Sequence, residues 1–177
     1  MKTIILITIT CLTMAGCAST LPQKSVVQGN YSVTDAKTFS TALSCDATKV
    51  DGVKDGFVKD YCQILAGNIK IALQKELRGI EYNETNPDLA IQVNLEEVNG
   101  GSAAARLWVG MGAGRSITTV YVKVIKKGVT IAEKRLTETT TTPNLITNNY
   151  ANDDAILQDA PLVARKVGEF VKNPARE

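Results

Sequence analysis

The fold is decided by one stretch of sequence, Asp88-Leu89-Ala90-Ile91-Gln92-Val93-Asn94-Leu95-Glu96, in which apolar and polar side chains alternate. Successive side chains of a strand point to opposite faces, so every second residue shares a face. Leu89, Ile91, Val93 and Leu95 would form the apolar face, and Asn86-Pro87 breaks the chain before them. The pattern predicts a half-buried strand.

A β-hairpin is predicted after this strand. Residues 116–126 alternate as well, with Val120, Val122 and Val124 on one face, and residues 129–140 would return beside them. Lys127-Gly128 between the two runs is typical of a tight turn. A further short strand is expected near Tyr31 to Thr34.

Two amphipathic helices are predicted from apolar residues at helical spacing. The first is expected at about residues 54–78, because Gly79 stands where a helix would end. The second would follow the N-cap candidates Asn152-Asp153-Asp154. Pro161 either kinks this helix or starts its second half, with Asp159 as the cap. The apolar positions are Phe57, Tyr61, Ile64, Leu65, Ile69, Ala72, Leu73 and Leu77 in the first helix, and Ile156, Ala160, Val163, Ala164, Val167, Phe170 and Val171 in the second.

The predicted order of elements is strand, helix, three strands, helix. This order is typical of an α+β fold in which two helices cover one face of a small antiparallel sheet. The chain has 177 residues, which is enough for one domain with a real core. We therefore place a single α+β domain at residues 33–172 and a C-terminal tail at residues 173–177.

The N-terminus has the layout of a secretory signal. Lys2 is followed by an apolar stretch of about a dozen residues and then by Ala15-Gly16-Cys17. The stretch is too short for a membrane-spanning helix, which needs about 20 apolar residues. The alternative of an ordinary buried strand or helix does not explain why Gly16-Cys17 follows it. Leu12-Thr13-Met14-Ala15-Gly16-Cys17 resembles a lipobox, which predicts a signal peptide at residues 1–16, cleavage between Gly16 and Cys17, and lipidation of Cys17.

Lipidation would hold the protein on a membrane that it does not span. The two or three acyl chains of a lipoprotein anchor it stably, since each buried methylene contributes about 0.8 kcal/mol. Residues 17–32 would form the lipidated N-terminus and a flexible tether. By analogy with enterobacterial sorting, Ala18 in place of Asp favours the outer membrane, with the domain on its periplasmic face.

Composition excludes several classes of function. The net charge of +2 provides no strong field to attract nucleic acid, so no nucleic-acid partner is expected. Histidine is absent, which removes Ser-His-Asp and Cys-His catalysis and the commonest transition-metal ligand. We expect no enzyme activity, no cofactor and no metal.

Two cysteines remain for a disulfide. Cys11 would leave with the signal peptide and Cys17 would carry lipid, so Cys45 and Cys62 would stay together in an oxidising compartment. A bridge between them would stabilise the fold by about 3 kcal/mol in the chain-entropy model. Two buried thiols are the alternative, because sequence spacing alone does not establish the geometry.

The segment from Gly100 to Arg115 is rich in glycine and alanine and contains Trp108. A nucleotide-binding loop is disfavoured, because such a loop leads from a strand into a helix and Gly114 leads into a strand. A plain connection between two strands is one interpretation. The other is a contact surface for a protein partner or lipid head groups. Its candidate residues are Arg106, Leu107, Trp108, Val109, Met111 and Arg115.

These residues resemble a known family. The pattern Arg106-x-x-Val109-Gly110-x-Gly112-Ala113-Gly114-Arg115 before a β-hairpin, together with the strand at residues 88–97, is similar to a family of bacterial outer-membrane lipoproteins that carry a domain of unknown function. The resemblance covers about residues 30–172. It implies an envelope protein with a small α/β domain, and it brings no catalytic residues.

Three functional hypotheses follow. The first is a non-catalytic envelope lipoprotein that binds or scaffolds envelope components, including a partner protein or a second copy of itself. The second is an oligomeric export or assembly component of the outer membrane. The third is a small hydrolase that would use Glu96, Glu97, Glu133 or Glu138 as acid and base, although these glutamates are also expected on solvated strand faces.

Overall fold

The computed structural model describes residues 26–27, 31–101, 115–140 and 156–174. Within these ranges the chain forms seven strands and two helices. In order they are β1 (Val26–Val27), β2 (Thr38–Ser44), β3 (Lys49–Asp51), α1 (Phe57–Glu76), β4 (Glu81–Tyr82), β5 (Leu89–Asn99), β6 (Ser116–Lys126), β7 (Val129–Thr140) and α2 (Asp159–Lys172). The predicted α+β fold class is confirmed.

The predicted hairpin is β6 and β7, and it pairs antiparallel with β5. The register runs from Leu89 opposite Lys126 to Asn99 opposite Ile117. Lys127 and Gly128 connect the hairpin with φ of 51° and 79°. Positive φ at both central residues gives the turn a twist that matches the strands. Three strands therefore form the centre of the sheet, as the alternation predicts.

The sheet is larger and more mixed than the small antiparallel sheet that we predicted. Its strand order is β1-β7-β6-β5-β2-β4, and β3 pairs with the far end of β5. β2 runs parallel to β5. The reason is the connection through α1, since parallel neighbours need a long crossover and a helix supplies it. Strands of two or three residues, such as β1, β3 and β4, are too short to show a period in the sequence.

One face of the sheet and the two helices enclose the core. Leu89, Ile91 and Leu95 are completely buried, whereas Gln92 on the opposite face is exposed. A bulge between Leu95 and Glu97 shifts the register, so that Val98 also points into the core. Helix residues that complete the core include Leu65, Ile69, Leu73, Val163, Val167 and Val171.

Three boundaries differ from the predictions. The strand expected near Tyr31 to Thr34 is wrong: the first long strand is β2, and the Tyr31 hydroxyl instead donates a hydrogen bond to the carbonyl of Val171. Helix α1 starts at Phe57 rather than 54, because Gly56 adopts a left-handed φ of 82°. Asp159 is the first residue of α2 rather than its cap. Asn152-Asp153-Asp154 lie outside the described residues.

The Cys45–Cys62 disulfide is present. It joins the residue after β2 to the buried second turn of α1, with Cα atoms 6.0 Å apart. No helix of the described residues is long and apolar enough to cross a membrane.

The contribution of this disulfide can be measured by replacing both cysteines. We expect Cys45→Ala/Cys62→Ala to lower the free energy of unfolding by about 2–4 kcal/mol, because the unfolded chain regains the entropy of the open loop. Urea denaturation of the oxidised wild type, the reduced wild type and the double variant provides the test. Equal midpoints for all three would show that the bridge does not stabilise the fold.

Two helical glycines form a matched pair for testing the packing of α1 against α2. A Cβ added at Gly67 would meet no atom within 4 Å, whereas one at Gly168 would lie 3.1 Å from Glu76 Cγ and 3.4 Å from the Ala72 carbonyl oxygen. We expect Gly67→Ala to stabilise the fold by about 0.5–1 kcal/mol, because alanine is the better helix former. Gly168→Ala should give less of this gain, since the Glu76 side chain must move by a few tenths of an ångström to admit the methyl group. Thermal unfolding of both variants measures the difference.

Candidate functional site at one end of the sheet

The described residues closest in sequence to the predicted contact surface lie at one end of the sheet. We call this region the loop end and define it as Asn99, Gly100, Gly101, Arg115, Ser116 and Thr140. Ser116 lies opposite Thr140, and Ile117 lies opposite Asn99, so three strand ends meet here. Arg115 is exposed. Arg106, Leu107, Trp108, Val109 and Met111 lie outside the described residues, as do Gly16 and Cys17.

The chain is held firmly where it leaves β5. The Gly101 amide donates to the Asn99 side chain at 2.7 Å, and the Gly100 amide donates to the Asp51 carbonyl at 2.9 Å. A Cβ on Gly52 would stand 2.8 Å from the Gly101 carbonyl oxygen, so only glycine permits this approach. The ends of β3 and β5 therefore fix the start of segment 102–114.

A buried polar cluster lies beneath the loop end. The Ser116 hydroxyl donates to Asp159 Oδ2 at 3.0 Å, and both side chains are fully buried. The Tyr61 hydroxyl donates to Thr118 Oγ1 at 3.3 Å nearby. Asp159 Oδ1 has no hydrogen-bond partner among the described residues. The cluster thus fastens the first turn of α2 to β6, with one carboxyl oxygen left unpaired.

Burial raises the pKa of the Asp159 carboxyl. The hydroxyls of Thr140, Ser116 and Thr118 lower this pKa, while the negative charge of Glu138 raises it further. Within the described parts of the chain, no cation forms an ion pair with Asp159. Loss of hydration therefore dominates and favours the protonated form.

This cluster is unsuited to catalysis. Ser116 and Asp159 resemble two members of a nucleophilic triad, but both are completely buried, so a substrate does not reach them. Their arrangement instead positions the start of α2 next to the end of β7. Ser116 and Asp159 therefore have a structural role, which is to hold the start of α2 against β6.

The four glutamates considered for a hydrolase each have another partner. Arg135 forms an ion pair with Glu96, and its Nη2 also donates to Oε1 at 3.0 Å. Lys166 pairs with Glu138 at 2.7 Å, and Thr119 donates to Glu97 at 3.4 Å. Burial raises the Tyr121 pKa to about 12, and an interaction with Glu133 adds to this rise. These contacts tie neighbouring elements together and disfavour an acid-and-base pair.

The sequence contained a signal for the buried cluster that we did not use. Every second residue of a strand lies on the same face, so Ser116 and Thr118 share the face of Val120, Val122 and Val124. The predicted strand therefore already placed two hydroxyls on its core face. Such hydroxyls need a buried partner, and Asp159 is the partner of Ser116.

Within the described ranges, no group of three or more acidic or cysteine side chains is placed to hold a metal ion.

A family model described as a domain of unknown function, DUF4410, matches residues 33–155. The chain therefore belongs to this family. No curated protein matches the chain.

Several solved structures match the chain at low sequence identity. Protein XCC0632 from Xanthomonas campestris, described with the family DUF330, is 12% identical, and the match covers 85% of this chain and 92% of that one with a TM-score of 0.51. A PelC dodecamer from Paraburkholderia phytofirmans is 9% identical over 82% and 95% of the two chains, with a TM-score of 0.43. A minor lipoprotein from Acinetobacter baumannii is 14% identical over 75% and 93%, with a TM-score of 0.37. The similarity to the Xanthomonas protein shows the fold alone, and the other two scores are too low to support an argument.

The raised pKa of Asp159 predicts how stability depends on pH. Because the folded-state pKa lies above the unfolded-state value, the stability that this carboxyl contributes is present below the unfolded pKa and is lost as pH rises through the folded pKa. We expect Asp159→Asn to unfold at nearly the same urea concentration as wild type at pH 4, and at a higher concentration at pH 7.5.

The matched control is Asp60→Asn in the exposed first turn of α1. It should give no comparable gain at pH 7.5. A wild type that outlasts Asp159→Asn at pH 7.5 would mean that the ionised carboxyl has a stabilising partner.

Proposed function

We propose that this member of the DUF4410 family is a non-catalytic lipoprotein of the outer membrane, and that its periplasmic domain binds or scaffolds other envelope components. The observation that carries the proposal is the Cys45–Cys62 disulfide in a chain whose residues 12–17 resemble a lipobox. Disulfides persist in oxidising compartments such as the periplasm. A lipobox and a disulfide together support secretion followed by anchoring.

The position of β1 supports a short tether. Val26 and Val27 pair with Glu133 and Ala132 on the outer side of β7. Val26 is nine positions after Cys17 in the sequence, and a fully extended chain spans at most about 3.3–3.6 Å per residue. A lipid on Cys17 would therefore hold this edge of the sheet within about 30 Å of the membrane surface. The domain would meet partners that are themselves in or near the membrane.

The loop end is our proposed contact surface. Arg115 is exposed there, and the two ends of segment 102–114 are fixed on neighbouring strands. Trp108 is seven residues from either end, so chain length alone keeps it within about 25 Å of the loop end. Tryptophan and arginine are the residues most enriched at the energetic centres of protein interfaces. Arg106, Leu107, Val109 and Met111 would complete the surface.

An oligomeric export or assembly component is the second candidate. One feature favours it: among the strands that the structure describes, none pairs with the outer side of β2 beyond Phe39. A surface of this kind suits association between chains. It does not by itself distinguish export from any other role of an assembly.

The first test concerns the lipid. We expect the wild type to carry acyl chains on Cys17 and to fractionate with the outer membrane, and we expect Cys17→Ala to be unacylated and released from it. Mass spectrometry of the extracted protein and separation of the two membranes provide the measurements. An unmodified wild type in the soluble fraction would contradict the anchor.

The second test concerns the contact surface. Crosslinking in intact cells should yield a defined adduct that Trp108→Ala and Arg115→Ala each abolish. Lys37→Ala is the matched control, because this exposed lysine precedes β2 at the opposite end of the sheet. An adduct lost equally in all three variants, or retained in all three, would show that the loop end is not the contact surface.

A further inference from the structure

The N-terminal part of the chain reaches the domain along the outer side of β7. β1 pairs antiparallel with β7, so that Val26 lies opposite Glu133 and Val27 lies opposite Ala132. Because β7 runs towards the loop end and finishes there at Thr140, β1 runs away from the loop end. The chain that precedes Val26 therefore comes from the side of the loop end.

Contacts at the other end of the sheet fix this direction. We call that end the turn end, because the Lys127-Gly128 turn lies there. Lys126 Nζ donates a hydrogen bond to the Ser32 carbonyl at 2.9 Å. The Tyr31 hydroxyl donates to the carbonyl of Val171 in the last turn of α2. The chain therefore passes from β1 to the turn end and is held there before β2 begins.

The length of the tether limits the position of Cys17. Residues 17–25 lie outside the described residues, but Val26 is nine positions after Cys17, so the two are at most about 30 Å apart. Glu133, which lies opposite Val26, is seven positions before Thr140, and this length of β7 spans about 23 Å at about 3.3 Å per residue. A fully extended tether that keeps the direction of β1 therefore brings Cys17 to the loop end and at most about 7 Å beyond it.

The sequence of the tether favours such a straight path. Residues 17–25 contain no glycine, asparagine or aspartate, which are three of the residues that dominate tight turns. Pro22 favours extended backbone at Leu21. If the turn end faced the membrane, the chain would have to reverse its direction just before β1. The direction of β1 and the composition of residues 17–25 both disfavour this reversal.

We propose that the domain faces the membrane with one corner, and that this corner contacts the lipid surface that carries the anchor. The membrane corner consists of β7 from Glu133 to Thr140 together with the adjoining loop end. The inference rests on the proposed lipid anchor at Cys17, and it goes further because an anchor alone does not orient a domain. The turn end and the β2 edge lie farthest from the membrane in this orientation.

The charges of the membrane corner favour contact with phosphate head groups. Two ion pairs neutralise four of its charged side chains, and the other charged side chains described there are two basic and one acidic. The pairs are Arg135–Glu96 and Lys166–Glu138, and the others are Arg115, Lys134 and Glu133. Anionic lipids attract basic side chains that lie close to the membrane surface. Charge therefore does not oppose the orientation that the tether favours.

The orientation can be measured with one introduced cysteine at a time. Thr139 and Val129 are both exposed on β7 and lie about 33 Å apart at opposite ends of the strand. The acylated proteins Thr139→Cys and Val129→Cys would each carry a fluorophore on the new thiol. They would be reconstituted into vesicles of phosphatidylethanolamine and phosphatidylglycerol that contain a lipid with a quencher on its head group. We expect the label at position 139 to lose most of its fluorescence and the label at position 129 to lose none. Lys37→Cys, which is exposed at the turn end just before β2, is a second control and should also keep its fluorescence.

A longer tether tests whether the path of the chain orients the domain. An insertion of about ten glycine and serine residues after Thr20 would extend the reach of the tether by roughly 30 Å. Either end of the domain could then approach the lipid, so the quenching at position 139 should fall towards that at position 129. A difference that persists with the longer tether would show that the tether does not orient the domain, and the proposal would fail.

Three results with the original tether would also overturn the proposal. Equal quenching at positions 139 and 129 would mean that the whole β7 edge lies on the lipid. Stronger quenching at position 129 would mean that the turn end, with its exposed Lys37 and Lys127, faces the membrane. Quenching at neither position would mean that the corner stands away from the lipid. Any of these results in an acylated protein on the vesicles leaves the proposed function intact, whereas a chain without acyl groups on Cys17 contradicts the proposed anchor and the orientation with it.

Discussion

The pairing of β5 with its neighbours is the constraint on which the rest of the domain depends. This strand pairs with β6 on one side, and with β2 and then β3 on the other, so it sets the register of three strands. The alternation of apolar and polar residues allows only one register. A shift of one residue would turn the apolar side chains toward water. These side chains are Leu89, Ile91, Val93 and Leu95. Each of these side chains is at most 2% exposed. Burying each such side chain contributes roughly 1.5–3 kcal/mol to stability. The native register is therefore more stable than a register shifted by one residue by several kcal/mol.

The helices follow from this register. α1 connects β2 to the part of the sheet where β5 lies, and the disulfide fixes its second turn next to the end of β2. α2 is fixed at both ends: Asp159 bonds Ser116 at its start, and Tyr31 bonds the Val171 carbonyl near its finish. Lys172 also pairs with Glu76 of α1 at 2.9 Å. The loop end is therefore built on rigid elements, which is the arrangement that would hold the proposed contact surface in place.

Sequence alone predicted the parts of the fold with a strong period. The alternation of residues 88–96 and 116–126 and the spacing of Leu65, Ile69 and Leu73 each depend on many residues, so small irregularities did not obscure them. β2 was missed because Ser40, Thr41 and Ala42 give little contrast between its faces. The parallel β2–β5 pair and the Ser116–Asp159 contact join residues far apart in the chain, and no local pattern encodes them. The hydroxyls of Ser116 and Thr118 at core positions were the only local indication of the Ser116–Asp159 contact.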